Sequence, residues 1–135
     1  MRNKIQVGDS VSITKTFSDE DVCQYADLSM DRNPIHLDQD VAAESMFGQR
    51  IVHGMLVASL FSGLLGMKLP GKGSIYLSQQ VKFKAPVYLG DEITASVEVM
   101  GVREDKPIVS LRTYCTNAKG VVVVDGEAVV MVPEG

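Results

Sequence analysis

The sequence has no tryptophan, only two histidines and only two cysteines in 135 residues. The cysteines, Cys23 and Cys115, lie far apart without a repeated spacing, which predicts reduced thiols in a cytoplasmic protein rather than a disulfide framework. The histidines, His36 and His53, have no second histidine or cysteine at the spacing of zinc ligands, so no metal site is expected. The first residues also lack the apolar stretch of a signal peptide.

Positive charge and long apolar runs are scarce as well. Thirteen Lys and Arg stand against 17 Asp and Glu, a formal net charge of −4, so a broad basic surface for nucleic acid is not expected. The longest strongly apolar stretch, residues 55–67, is too short to cross a bilayer, which takes about 20 residues. We therefore expect neither a nucleic-acid partner nor a membrane segment.

What the chain does contain is the composition of one globular domain. Hydrophobic residues make up 45% and charged residues 22%, which allows the chain to bury a core. No internal repeat, low-complexity run or linker divides it, and its length is typical of one domain. We expect a single domain over residues 1–135.

Helical signals dominate the first half of the chain after one alternating segment, residues 11–17, that predicts a strand. Ser18 is followed by three acidic residues, which predicts the start of a helix. Pro34 disfavours helical geometry at the residue before it, so residues 31–36 are expected to be irregular. Asp38 is then predicted to cap a second, short helix.

Residues 55–67 form a segment that is apolar nearly all round, and charged residues return only at Lys68. A helix without a polar face is typically buried. Proline and glycine within residues 69–73 end it. We expect this helix to run through the middle of the protein.

The second half of the chain alternates with the period of strands. Short turns join the alternating segments, which predicts an antiparallel sheet with one face against the apolar helix. The last segment is expected to be bent or bulged at Asp125-Gly126. The sequence therefore predicts an α+β architecture, an antiparallel sheet wrapped around one central buried helix. The alternating segments are residues 81–85, 93–99, 109–115 and 121–132.

Asp31 and His36 are the first candidates for chemistry. They are five residues apart across an Asn-Pro turn, and a bend there brings a carboxylate and an imidazole toward one point. Such a pair can hold a water and add it to a polarised double bond. The alternative is a turn in which Asp31 bonds backbone amides and His36 is merely exposed.

Gly54, at the start of the apolar helix, is the third candidate. The first amides of a helix have no partner within it and carry partial positive charge, so the Gly54 N–H can bind the oxygen of a thioester. Adding water to a 2-enoyl thioester builds enolate charge on that oxygen. The alternative is that glycine only permits close packing of helix and sheet. His53 is expected to be a structural, hydrogen-bonded residue.

Residues 25–36, followed by Ala42-Ala43, resemble the "hydratase 2" motif of the MaoC-like dehydratases, which ends in D-x-N-P-[LIV]-H. Residues 51–56 and 69–76 are similar to those of short bacterial (R)-specific enoyl-CoA hydratases that feed polyhydroxyalkanoate synthesis. The resemblance covers essentially the whole chain.

The resemblance implies a hot-dog fold, a homodimer with active sites near the interface, and an acyl-CoA substrate without a separate cofactor. It implies that Asp31 and His36 bind and activate the water, that Asn33 supports the site, and that the Gly54 amide polarises the thioester carbonyl. Met30 departs from the motif, which usually carries glycine there, and we expect an effect on loop packing only.

We therefore expect an (R)-specific 2-enoyl-CoA hydratase that adds water syn to short-chain substrates. The alternatives are a 3-hydroxyacyl-ACP dehydratase, a thioesterase or a non-catalytic acyl-CoA-binding module. Acyl-carrier-protein dehydratases and some thioesterases of this fold place an acid on the central helix, and residues 55–67 contain no Asp or Glu. A pure binder has no need for Asp31 beside His36.

The acyl tail is expected to lie along the helix face that carries Ser62 and Leu65, with Val130 as a third wall. Leu65 is alternatively an ordinary core residue. The phosphates of coenzyme A are expected to meet lysine or arginine side chains, but the sequence singles out none of them. The candidates are Lys68, Lys72, Lys82, Lys84, Arg103 and Lys106.

Overall fold

The computed structural model describes residues 5–132 as five strands and four helices. None of these helices is long and apolar enough to cross a bilayer. The strands are β1 (Ser10–Thr16), β2 (Ile75–Phe83), β3 (Glu92–Val102), β4 (Ile108–Thr116) and β5 (Val122–Met131). The helices are α1 (Asp19–Ser29), α2 (Pro34–Leu37), α3 (Gln39–Ala43) and α4 (Gly54–Met67).

All neighbouring strands are antiparallel, in the order β1-β3-β4-β5-β2, and α4 contacts every strand of the sheet. This confirms the predicted sheet around one central helix. Burial of each large side chain on the inner side of α4 contributes about 1.5–3 kcal/mol. The α4 side chains in the core are Val57, Ala58, Phe61, Leu64 and Leu65.

One row of α4 nevertheless remains at the surface, so the prediction of a helix buried all round is wrong for one side. The sheet curls over the other side only, and its edge strand β2 leaves this row open. The exposed residues are Met55, Ser59, Ser62, Gly63 and Met67.

The bulge expected at Asp125-Gly126 is not there. The pairing of β5 with β2 runs without a register shift from Ser78 to Phe83, and the described bulges fall elsewhere, one of them at Tyr76 on β2. A Cβ on Gly126 would lie 1.9 Å from the main-chain oxygen of Gln80. Glycine is required at this position because the backbone of β2 comes so close.

Two of the helix starts follow from capping side chains. Ser18 and Asp21 form a reciprocal capping box at α1, and the Asp38 carboxylate accepts from the first amides of α3, as predicted. Residues 31–36 were expected to be irregular throughout, and here the prediction is partly wrong. Pro34 begins α2, because its fixed φ suits the first helical position and its missing N–H costs nothing there.

Met30 ends α1 in the left-handed conformation, with φ of 68°. The Met30 side chain is 78% exposed. Contrary to our expectation, the departure from the motif therefore affects the backbone conformation rather than the packing of the loop. The glycine of the motif suits this position because a residue without Cβ adopts positive φ freely.

Replacement of Met30 by glycine is expected to raise the free energy of unfolding by about 0.5–1 kcal/mol. Relief of left-handed strain, about 1–2 kcal/mol, exceeds the entropy that glycine adds to the unfolded chain, about 0.4–1 kcal/mol. Urea denaturation measures the difference. The control Gln24→Gly, in the interior of α1, should lower stability by about 1 kcal/mol. An equal loss for both variants would contradict the assignment of strain to Met30.

Candidate active site

Asp31, His36, His53 and Gly54 come together at one cavity of about 480 Å³. A carboxylate oxygen of Asp31 and a ring nitrogen of each histidine lie within 4.8 Å of one another. Three segments supply them: the loop after α1, the short helix α2 and the start of α4. The structure thus brings together the predicted catalytic pair and the predicted amide donor. Sequence reasoning missed several other lining residues, among them Tyr25, Phe47, Phe83 and Pro86, and it named Lys84 only as one of six candidate phosphate contacts.

Asp31 is held by main-chain bonds on both sides. Its N–H donates to the Ser29 hydroxyl at 3.1 Å, and its carboxylate accepts the N–H of Asn33 at 3.2 Å. The residue itself is exposed, so its carboxylate remains open to water.

Asn33 positions both members of the pair. Besides donating its N–H to Asp31, it caps α2 by accepting the N–H of Ile35 at 3.2 Å through its side chain. Its main-chain oxygen accepts from the N–H of His36 at 3.0 Å. A single residue therefore fixes the acid and starts the helix that carries the imidazole.

His36 is buried, and its Nδ1 lies 2.7 Å from the main-chain oxygen of Ile51. A carbonyl oxygen can only accept a hydrogen bond, so Nδ1 carries the proton. In the neutral ring Nε2 is then left with a lone pair, which suits it to bind a water proton. Arg50 also donates to the main-chain oxygen of His36 at 2.7 Å and pairs with Asp19.

His53 is 2% exposed and donates from Nε2 to the main-chain oxygen of Asp31 at 3.0 Å. Its ring stacks on that of His36 with centroids 3.8 Å apart, and Tyr25 meets it edge-on at 4.8 Å. Burial lowers the pKa of His53, and the neighbouring His36 lowers it further. The hydrogen bond expected for His53 is confirmed, and its structural role, as opposed to that of a second base, stays a prediction. The stacking on His36 leaves no trace in the sequence.

Gly54 is the first residue of α4, and its N–H has no hydrogen-bond partner among residues 5–132. His53 provides no side-chain cap, so this amide and the positive end of the helix are available to a ligand in the cavity. The packing explanation also has support, because a Cβ here would lie 2.7 Å from the Phe83 ring. Glycine at this position thus serves close packing whether or not the amide binds a ligand.

Asp31, His36 and His53 could in principle hold a metal ion. The two imidazole rings, however, are stacked with centroids 3.8 Å apart and planes inclined by only 24°, so their lone pairs lie in two separate, nearly parallel planes. Two histidine ligands have to converge on one ion at about 2.0–2.1 Å. The geometry therefore disfavours a metal, and its absence stays a prediction.

The residues predicted to surround the acyl tail do not lie together. Ser62 lines an apolar groove of about 510 Å³ between α4 and β2, which shares Tyr25 and Met55 with the catalytic cavity. Leu65 and Val130 belong to the core and line neither of these two depressions. Their role in chain-length selection remains a prediction.

A family model described as MaoC like domain matches residues 3–119. The chain belongs to this family. A curated relative from Aeromonas caviae, named (R)-specific enoyl-CoA hydratase, is 54% identical over 96% of both chains. The solved structure of the (R)-hydratase from A. caviae involved in PHA biosynthesis superposes with a TM-score of 0.95 over 96% of this chain and 98% of that one. These MaoC-like relatives confirm the hot-dog fold expected from the sequence.

Another MaoC-like relative, from Solanum lycopersicum, is named a mitochondrial 3-hydroxyacyl-[acyl-carrier-protein] dehydratase. It is 42% identical over 97% of this chain and 79% of its own. An enzyme named for a protein-bound acyl group is therefore also similar to this chain. The absence of an acid on α4 therefore does not show whether coenzyme A or a carrier protein bears the acyl chain.

Proposed function

We propose that this MaoC-like protein is an (R)-specific 2-enoyl-CoA hydratase that converts trans-2-enoyl-CoA and water to (R)-3-hydroxyacyl-CoA. The observation that carries the proposal is the meeting of Asp31, His36 and the unpartnered amide of Gly54 at one cavity. Hydration needs a water-activating pair and a donor for the enolate oxygen, and these residues supply both.

The thioester carbonyl is placed at the N-terminus of α4, with its oxygen accepting from Gly54 N–H. The interaction of the carbonyl oxygen with this amide and with the helix dipole becomes stronger as negative charge moves onto the oxygen. Apolar side chains such as Val52, Val57 and Val87 line the same cavity and limit competition from water.

Water is held between the Asp31 carboxylate and His36 Nε2. Its oxygen bonds to C3 while the pair removes one proton, and a proton is returned to C2 from the same side, which leaves both residues in their starting state. Because oxygen and proton arrive from one face, the addition is syn. The (R) configuration is carried over from the A. caviae relative's name.

Two observations weigh against the alternatives. A non-catalytic binder does not require the hydrogen bonds through which Asn33 aligns Asp31 and His36. The 54% identical relative is named a hydratase rather than a thioesterase. A carrier-protein dehydratase uses the same chemistry, so an experiment has to distinguish coenzyme A from a carrier protein as the acyl carrier.

Asp31→Asn and His36→Gln should each lower kcat for hydration of crotonyl-CoA by at least about 100-fold, since either change removes a proton-transfer group. Loss of absorbance of the enoyl thioester measures the rate, and chiral analysis of the product is expected to give the (R) isomer. Asp27→Asn on α1, also an exposed acid, is the control that should keep normal turnover. Near-normal turnover in either site variant would remove that residue from the mechanism.

The acyl tail is proposed to leave the cavity past Tyr25 and Met55 into the apolar groove that Ser62 lines. Leu65 is a buried residue of α4, three residues beyond Ser62 and hence on a neighbouring part of the helix surface. We expect a preference for short chains, with Leu65 limiting the depth of the groove and Val130 forming a more distant wall.

Leu65→Ala is expected to raise the ratio of octenoyl-CoA to crotonyl-CoA turnover several-fold, because the cavity left behind admits a longer tail. The substitution also removes core packing, at a cost of about 2–5 kcal/mol. Both turnover rates are therefore measured on one preparation, so that loss of folded protein cancels in the ratio. Phe61→Leu, a change at another buried α4 residue that lines neither depression, is the matched control. An unchanged ratio for Leu65→Ala contradicts this placement.

A homodimer is the proposed assembly, with the second copy covering the open side of α4 and β2. Strand β2 lies at the sheet edge and pairs with β5 alone among the described strands. Unprotected edges are prone to pair with another chain. This edge carries large exposed apolar side chains, and the neighbouring row of α4 adds Met55 and Met67. The exposed apolar residues of the strand are Ile75, Tyr76, Leu77 and Phe83.

Leu77→Asp should convert the dimer to a monomer, because a carboxylate within an apolar interface loses its hydration without a partner. Light scattering during size-exclusion chromatography measures the mass. Val121→Asp, in the turn before β5 and similarly exposed, should leave the mass of the dimer unchanged. A wild-type protein that runs as a monomer at micromolar concentration contradicts the assembly.

The cytoplasm is the proposed compartment, and both cysteines are free, in keeping with it. The A. caviae structure is named for PHA biosynthesis. We extend this role to the present chain as a source of (R)-3-hydroxyacyl-CoA for polymer synthesis.

A further inference from the structure

In the part of the chain that the structure describes, three surface depressions share rim residues with the catalytic cavity. Each offers a way out for the coenzyme A part of the substrate. The apolar groove beside Ser62 shares Tyr25 and Met55 but contains no charged residue. A second depression shares Pro86, and a third shares Lys84. The phosphates of coenzyme A carry several negative charges, so the charge around each exit decides between them.

The exit past Pro86 is acidic. Asp91 and Glu92 line it, and Lys119 is the one basic residue in its lining, which leaves one excess negative charge. In a chain whose net charge is already −4, an anionic ligand is repelled there.

The exit past Lys84 is basic. Lys82, Lys84 and Arg112 line it against Asp125 and Glu127, which leaves one excess positive charge. We call this depression, between the outer sides of β2, β4 and β5, the outer groove.

The free positive charge of the outer groove lies on two lysines. Arg112 is already engaged, because it pairs with Asp125 at 3.2 Å and stacks over the Tyr114 ring at 4.1 Å. Lys82 and Lys84 form no ion pair within residues 5–132 and are exposed. Lys82 lies on β2 and Lys84 is the first residue after it. Two residues apart in an extended chain, their side chains point to the same side, and both line the outer groove.

We propose that Lys82 and Lys84 bind the phosphate groups of coenzyme A, with the pantetheine arm passing Lys84 into the catalytic cavity. This inference rests on the proposed hydratase function and adds the site that recognises the carrier. Single exposed lysines contribute little to binding, but two unpaired ones beside the cavity mouth act on the same polyanion.

The test compares two substrates of one reaction, crotonyl-CoA and crotonyl-pantetheine, which lacks the phosphates. For the double variant Lys82→Ala/Lys84→Ala we expect KM for crotonyl-CoA to rise about tenfold with kcat unchanged. KM for crotonyl-pantetheine should not change, and turnover of this substrate also shows that the variant is folded. The wild-type KM for crotonyl-CoA should rise with ionic strength, and that of the variant should rise less.

Lys72→Ala/Lys106→Ala, which removes the same charge from two turns, is the control and should leave both KM values unchanged. Lys119→Ala probes the exit past Pro86. The inference is overturned if either of these variants raises KM for crotonyl-CoA as much as the Lys82/Lys84 variant does. It is also overturned if wild type has the same KM for both thioesters. Wild type that hydrates neither substrate refutes the proposed hydratase function instead.

Discussion

The hydrogen bond from His53 Nε2 to the main-chain oxygen of Asp31 is the interaction on which the site depends. It joins two residues 22 positions apart, Asp31 on the loop after α1 and His53 immediately before α4. His53 is buried against His36 by stacking, so water does not compete effectively for this bond. The position of Asp31 is thereby tied to the central helix, whose inner side packs against the sheet.

Few charged side chains line the cavity around this hydrogen bond. Among residues 5–132, Asp31 is the only acid that lines the cavity, and the central helix adds no carboxylate to it. Burial lowers the pKa of His53, which disfavours a positive charge on this ring. The positive end of α4 then faces a cavity with one carboxylate, which suits an anionic intermediate near Gly54.

The features that were predictable from sequence are local or periodic. Burial imposes a period of two on the strands and a continuous apolar run on α4, and the capping side chains of Ser18 and Asp38 contact amides only a few residues away. Two of the errors arose where one residue type is compatible with more than one structure. Pro34 disfavours helix at the preceding residue yet begins α2 itself. The glycine at position 126 suggested a bulge, whereas contact with a distant strand explains it.

The sequence by itself determined the sheet-around-helix architecture and singled out the candidate site residues. Periodicity in the strands, the contiguous motif that holds Asp31, Asn33 and His36, and the start of an apolar helix at Gly54 are all local properties. Only the tertiary structure decided what surrounds them. The His36 tautomer depends on a carbonyl 15 residues away, and the stacked His53 and the rim residue Lys84 come from other segments. Contacts of this kind arise when the sheet closes around α4, and no spacing along the chain encodes them.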